Sequence, residues 1–489
     1  MSNDTQALLD RGQRALAAAQ WAQSAQCFGL AVERQSDNAA AWHNLGLSLF
    51  ALGKTQDAIS ACQRALRLNP SMLPTYVVLG KASKSLGDAA KAHACFSHVL
   101  KMDSTHAQAR LALADLSLNV FGQPLQAVEW VKPLLDNPEY AEDAELTTLM
   151  AGLYDRDTSA EEHNSRIIRF SQKSLQLDPA SFDFLPDGHS VGPTQWPLPN
   201  QASWKPISGR QRPRVGLLSP LFCASPVYFL TIAGWRRVAR GSDVVIFNRG
   251  NKQDWATQNL KDLAHEWHDV QEISAEQLAA RIYGAQLDVL YDLGGWMDPI
   301  GLKALSVKPA PQMFKWVGGQ SVTTGLKCFD GWIGDDWQSP MRLQHLFTEP
   351  LVNIAQGYAV YTPPDYMPQI PANKRDVPVI FSNPAKLSRS FLKFLKSVPG
   401  KKCFVHQQFK YPQSRVQTLQ YLSDSEVEFV VPSSHKEALE VLSQHRVMID
   451  TFPYSSGLTA QEAMALGVKV QARVGTLFCE RHCARLSPT

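Results

Sequence analysis

Three things are scarce in this 489-residue chain. Charge of one sign is the first: 48 Lys and Arg against 45 Asp and Glu leave a net +3, too little to argue for a nucleic-acid or anionic-membrane partner. Long apolar runs are the second, since none approaches the ~20 residues of a membrane-spanning helix. Cysteine is the third: eight thiols lie scattered at positions 27, 62, 95, 223, 328, 403, 479 and 483. Cys479 and Cys483 bracket His482, but without a second ligand pair that spacing is weak for zinc, and no metal is expected. The start, "MSNDTQALLDRGQ", lacks the basic stretch and apolar core of a secretory signal. Dispersed thiols then suit a reducing compartment, so a cytoplasmic location is the expectation. What remains, 44% hydrophobic and 19% charged, is the composition of a soluble globular protein of two or three domains.

What the chain does have is repetition. Trp42 stands 34 residues before Tyr76, and at the same spacing Leu45 matches Leu79, Gly46 matches Gly80, Gly53 matches Gly87 and Ala58 matches Ala92. One period earlier Leu8, Gly12, Ser24 and Phe28 take the corresponding places, and Pro70 closes the second unit. This is the tetratricopeptide pattern: two antiparallel helices per unit, with small residues where they touch. A fourth, degenerate unit runs from about Gln108 through "LQAVEWVKPLL", with a one-residue slip near Gly122 to Pro124. Such arrays present a concave face to peptides, so an acceptor protein or peptide is the expected partner there.

The pattern stays helical from Leu146 to Leu177, where Ser159 and Glu162 suggest a capping box. A stretch rich in proline and glycine then reads as a linker. Beyond it, "RVGLLSP", "SDVVIFNR", "LDVLYDLGG", "QMFKWVGG" and "FDGWIGDD" are short apolar runs separated by helical stretches. A second block offers "VPVIFSN", "KCFVHQQ", "VEFVVPS", "RVMIDTF" and "VKVQARV". Alternating strand and helix predicts two parallel sheets wrapped by helices, facing each other across a cleft. The expected boundaries are 5–145 for the repeats, 146–212 for the helical junction and linker, 213–375 for an N-lobe and 376–489 for a C-lobe.

In "IDTFPYSSGLTAQEAMALGV" an apolar run ends at Asp450, a turn follows, and a helix begins near Leu458. Main-chain amides of Leu458 and Thr459 at such a helix start suit a phosphate.

Taken with the repeats, several segments resemble the bacterial protein O-GlcNAc transferase family: "TTLMAGLYDRDTSAEE", "RVGLLSPLFCASPVYFL", "DLGGW", "KPAPQMFKWVGGQSVTTG", "FSNPAKLSRSFL", the turn just quoted and "GTLFCERH". The resemblance spans nearly the whole chain. It implies two Rossmann-like lobes of the GT-B type and a glycosyltransferase that uses a UDP-activated sugar, without a metal or other cofactor. In "NPAKL", Asn383 and Pro384 end a strand, and Lys386 would set a compact positive charge on the departing diphosphate; read alone, it is a solvated surface lysine. The resemblance makes Glu462 the ribose-binding acid, otherwise an ordinary carboxylate in the first turn of its helix. It makes His435 and Lys436 contacts to the uracil and phosphate, and Gly318 a backbone position close to the sugar nucleotide.

The chain departs from the family's pattern in places. Ser225 precedes Pro226 where the family carries an active-site histidine, and a serine hydroxyl takes no proton as imidazole does. Trp296 replaces a smaller residue, and the chain stops at "CERHCARLSPT" where relatives continue, which implies a shortened C-lobe. The expectation is an inverting transferase that moves N-acetylglucosamine to Ser or Thr. The alternatives are a repeat-bearing adaptor with impaired chemistry, or a relative using another donor or an asparagine acceptor. Oligomeric state stays open.

Overall fold

The computed structural model describes residues 3–179, 182 and 210–486. Most of the linker expected within 146–212 lies outside them. The chain divides into two compact units, Met1–Ala151 and Gly152–Thr489. The repeat unit therefore runs past the expected 145, and the junction, N-lobe and C-lobe share the second unit.

In the first unit the helices pair as Asn3–Ala17 with Trp21–Arg34, Ala39–Ala51 with Thr55–Leu68, and Leu73–Ser85 with Ala89–Met102. Their spacing follows from the small residues. A Cβ on Gly46 would lie 2.7 Å from Cys62 Sγ, and one on Gly80 would lie 2.7 Å from the Phe96 ring. Ala58 and Ala92 are wholly buried. Ser24, in place of those alanines, is tolerated because its hydroxyl meets Ser48 Oγ at 2.8 Å and so is not itself left unpaired. The fourth pair is Ala107–Asp115 with Pro124–Val131. Its extra residue is absorbed by a π-helical segment, Leu116–Val120, where the Phe121 amide bonds Leu116 O at 2.8 Å.

The junction is not one continuous helix. The helix Ala141–Gly152 ends, and Ala160–Ser174 begins after Ser159 accepts from the Glu162 amide at 3.1 Å. The turn between them sends Asp155 and Asp157 to Arg389 and Arg156 to Glu480.

The N-lobe is a seven-stranded parallel sheet: β1 Arg214–Ser219, β2 Asp243–Asn248, β3 Glu266–Asp269, β4 Val289–Asp292, β5 Met313–Lys315, β6 Gly331–Gly334 and β7 Leu351–Asn353, in the order β3-β2-β1-β4-β5-β6-β7. The C-lobe sheet is β8 Val379–Ile380, β9 Lys402–Val405, β10 Val427–Val430, β11 Val447–Ile449 and β12 Lys469–Gln471, in the order β10-β9-β8-β11-β12. All pairings are parallel, so the central strands are covered on both faces. Val215, Leu217, Ile232, Trp235, Ile246 and Tyr291 form the core of the first sheet. Val379, Cys403, Leu439, Met448 and Ala463 pack one face of the second, and Phe391, Phe404 and Phe409 the other. Sheets of this kind gather function at the carboxyl ends of their strands.

Candidate functional site

Four C-lobe strands deliver side chains to one cleft of about 390 Å³. Asn383 and Lys386 follow β8, His406 and Gln407 follow β9, Ser434 and His435 follow β10, and Leu458, Thr459 and Glu462 follow β11. Ser225, Phe229 and Lys252 line it from the N-lobe.

The loop after β8 is shaped by its own side chains. Asn383 accepts from the Ala385 amide at 2.8 Å and starts the 3₁₀ turn Pro384–Lys386. Ser388 then caps the helix Arg389–Ser397 and also donates to Phe452 O at 2.6 Å, stitching this loop to the turn after β11. Lys386 therefore points inward, not into solvent. Its Nζ donates to Ser455 O at 3.0 Å and lies 4.5 Å from the Tyr454 ring centre. Tyr454 is held in turn by the stacked Tyr154 ring, 5.0 Å away, and by Ser321 Oγ at 2.9 Å. Burial pushes the Lys386 ammonium below its ordinary value, while the nearby Asp450 favours the charged form.

Asp450 organises the turn itself, its Oδ1 accepting from the Thr451 and Ser456 amides, both at 2.9 Å. Behind the turn, Ser455 and Ser456 bond to the segment Cys479–Cys483. The helix Leu458–Ala465 starts at Gly457 with no side chain capping it. Its leading amides and positive dipole end are thus available where Leu458 and Thr459 meet the cleft.

Glu462 is the fifth residue of that helix and 1% exposed, so it is no first-turn surface carboxylate. Its Oε1 sits 2.8 Å from His435 Nε2, whose Nδ1 is 2.9 Å from the Tyr366 hydroxyl. The chain Tyr366–His435–Glu462 fixes the imidazole with both nitrogens engaged, and Phe229 lies against its face at 5.4 Å.

Three expected site residues stand differently from their sequence reading. Lys436 is exposed and turned toward Glu440 at 4.0 Å, because the second position of the helix His435–Ser443 faces away from the cleft. Gly318 does not line the cleft. It sits at φ +57° under Leu293 O, where a Cβ would come within 2.0 Å of that oxygen. Ser225 does line the cleft, but its hydroxyl donates to Leu221 O at 2.8 Å and holds the turn before the helix Pro226–Gly241. Trp296 is buried away from the cleft, its Nε1 on Thr323 O at 3.0 Å.

Sequence reading did not single out His406 or Lys252. Lys252 is held by Asp254 at 3.3 Å. His406 follows "KCFV", and its position just past a strand of a parallel sheet was the available signal. Burial, and then the charge of Lys386, push His406 down to about 4 and His482 to about 3. From pH 6.5 down to those values the unfolded chain takes up protons that the folded chain refuses. Stability thus falls as pH falls, by roughly 1.4 kcal/mol per unit for each such histidine. A urea midpoint at pH 5 is expected below that at pH 7, with a smaller difference in His406→Asn. Equal differences in the two proteins would contradict the assignment.

Comparison with known proteins follows the same division. Residues 39–72 and 73–106 each match the tetratricopeptide repeat family. A probable UDP-N-acetylglucosamine–peptide N-acetylglucosaminyltransferase SPINDLY of Solanum lycopersicum is 26% identical over 295 residues, 55% of this chain and 31% of that one. Its namesake from Arabidopsis thaliana is 25% identical over 304 residues, 57% of this chain and 33% of that one. The chain thus matches about a third of the length of these relatives. A solved mutant O-GlcNAc transferase of Thermobaculum terrenum superposes with a TM-score of 0.58 at 20% identity, covering 99% of this chain and 86% of that one. Among the described residues, no helix is long and apolar enough to cross a membrane. Repeats, relatives and fold agree: the chain carries tetratricopeptide repeats, is similar to these N-acetylglucosaminyltransferases and shares the fold of the solved O-GlcNAc transferase.

Proposed function

We propose that the protein transfers a sugar from a nucleoside diphosphate, N-acetylglucosamine from UDP being the donor named for its relatives, to a Ser or Thr hydroxyl of a protein. The observation that carries this reading is the convergence on one cleft of the half-buried Lys386 ammonium, the uncapped start of Leu458–Ala465 and the His435–Glu462 pair. The first two are an anion site, and Glu462 is a carboxylate within reach of sugar hydroxyls. The acceptor oxygen forms a bond to the anomeric carbon as the bond from that carbon to the diphosphate oxygen breaks, and the configuration inverts. The electron pair of the broken bond goes to the diphosphate, where Lys386 and the amides of Leu458 and Thr459 oppose the charge. The acceptor's proton leaves to the diphosphate or to solvent, since Ser225 offers no base. In the repeats, a groove of about 480 Å³ lined by His43, Leu47, Val77, Val78, His106 and Tyr140 suits an extended acceptor segment.

One observation favours a second reading, an adaptor with impaired chemistry: Ser225 is committed to a carbonyl where the family's histidine would stand. Purified protein offered a panel of sugar nucleotides and a peptide library decides between them. The transferase reading expects UDP release with a mass shift on peptide Ser or Thr. No UDP release with any of the sugar nucleotides would overturn it. A large gain of turnover in Ser225→His would show that the natural form is impaired; no gain would mean that the serine is not the limiting defect.

A further inference from the structure

His406 is the group in the cleft that the mechanism above leaves unused and whose chemistry is most narrowly defined. It follows β9 and caps the 3₁₀ turn Gln407–Lys410, its Nδ1 accepting from the Gln408 amide at 3.2 Å. A nitrogen that accepts is unprotonated, so the proton of the neutral ring resides on Nε2. The ring thus has no free lone pair with which to act as a base. It has one N–H to give. The sheet order β10-β9-β8-β11 sets the carboxyl end of β9 between that of β10, which carries His435, and that of β8, which carries Lys386. A second cation beside the half-buried Lys386 ammonium would be repelled by it. A neutral imidazole adds a directional donor there without that cost.

We propose that His406 is a positioning residue for the leaving diphosphate, its Nε2–H donating to a phosphate oxygen beside Lys386. The proposal rests on the nucleotide-sugar reading of the cleft. It assigns the two groups different tasks: Lys386 supplies charge, and His406 fixes the orientation of the phosphate that receives it.

The test uses the whole protein and UDP as probe. Histidine ¹H–¹⁵N spectra should find His406 as the Nε2–H form and its resonance should move on adding UDP. His406→Asn keeps an oxygen to accept from the Gln408 amide, so the turn is retained, but its amide is too short to reach the phosphate. UDP should bind this variant about 10–100-fold more weakly, as expected for loss of a hydrogen bond to a charged group, and the β-phosphorus signal of bound UDP should shift more than the α. His406→Phe should show the same loss. If wild-type protein binds UDP while the His406 resonance stays still and His406→Asn binds as tightly, the proposal is overturned and the cleft reading survives. If wild-type protein binds no UDP, both fall.

Discussion

Lys386→Ala should cut UDP release from sugar donors by about 10²–10³-fold, the usual scale for removing one preorganised donor from a site of developing negative charge. The loss should fall on kcat more than on KM, because charge accumulates on the diphosphate only as the glycosidic bond breaks. Folding should survive. The Lys386 amine makes one hydrogen bond, to Ser455 O, and the loop around it is held independently by Asn383 and Ser388. Lys386→Arg should not rescue, since the guanidinium is larger and the site beside Tyr454 is closed by the stacked Tyr154. Steady-state UDP release with each variant measures this, and a Lys386→Ala protein within about threefold of wild type would rule out the lysine as the main charge stabiliser.

Lys315 should matter as much to stability as Lys386 does to turnover. It is wholly buried, and its Nζ donates to Asp292 O and Val317 O, each at 3.0 Å, and to Gly318 O at 2.7 Å, with Asp292 Oδ2 at 3.4 Å. Two loops are tied by this one amine. The segment Val317–Gly319 runs through three successive left-handed residues, at φ +39°, +57° and +58°, and the first is a β-branched valine that disfavours that region. Such strain persists only where the surroundings over-determine it. Lys315→Met keeps the stem but leaves the Asp292 carboxylate without its cation, held only by the Gly294 and Gly295 amides, and strips Val317 O and Gly318 O of the amine, and should lower the unfolding free energy by about 3–5 kcal/mol. Adding Asp292→Asn should recover part of that loss, because the buried charge is then removed. Urea titrations of the three proteins measure it; a loss under about 1 kcal/mol in Lys315→Met would mean the amine is not the tie.

These two lysines mark how far the sequence could be read. The repeats were legible because each unit repeats the same contact, a glycine under a bulky side chain, at a fixed period. Their one irregularity was visible only as a slip, and its form, a π-helical turn at Leu116–Val120, depends on hydrogen bonds that no periodicity records. The inner strands stood out as apolar runs since both faces of a parallel sheet are covered. The strands β3 and β7 did not: "EWHD" lies at the sheet edge, where none of its four residues is buried, and "LVN" is three residues long. At the site, the turn after β11 and the position of Lys386 were readable because chain order alone sets them at strand ends. Glu462 was readable as lying one turn into the helix that begins at Leu458, but its burial against His435 depends on the packing of two helices, which chain order does not record. The placing of Lys436 and Gly318 off the cleft lining was not legible, because one residue along a helix, or one turn of left-handed backbone, changes which way a group faces. His406 carried no motif, and only the sheet order reveals what stands beside it.

The central claim is that the half-buried Lys386 amine and an uncapped helix start grip one pyrophosphate, and a structure of the UDP complex tests it most directly. The account predicts the β-phosphate within hydrogen-bond distance of Lys386 Nζ and of the Leu458 or Thr459 amide. UDP bound elsewhere, or Lys386 still directed only at Ser455 O with the phosphates remote, would contradict it.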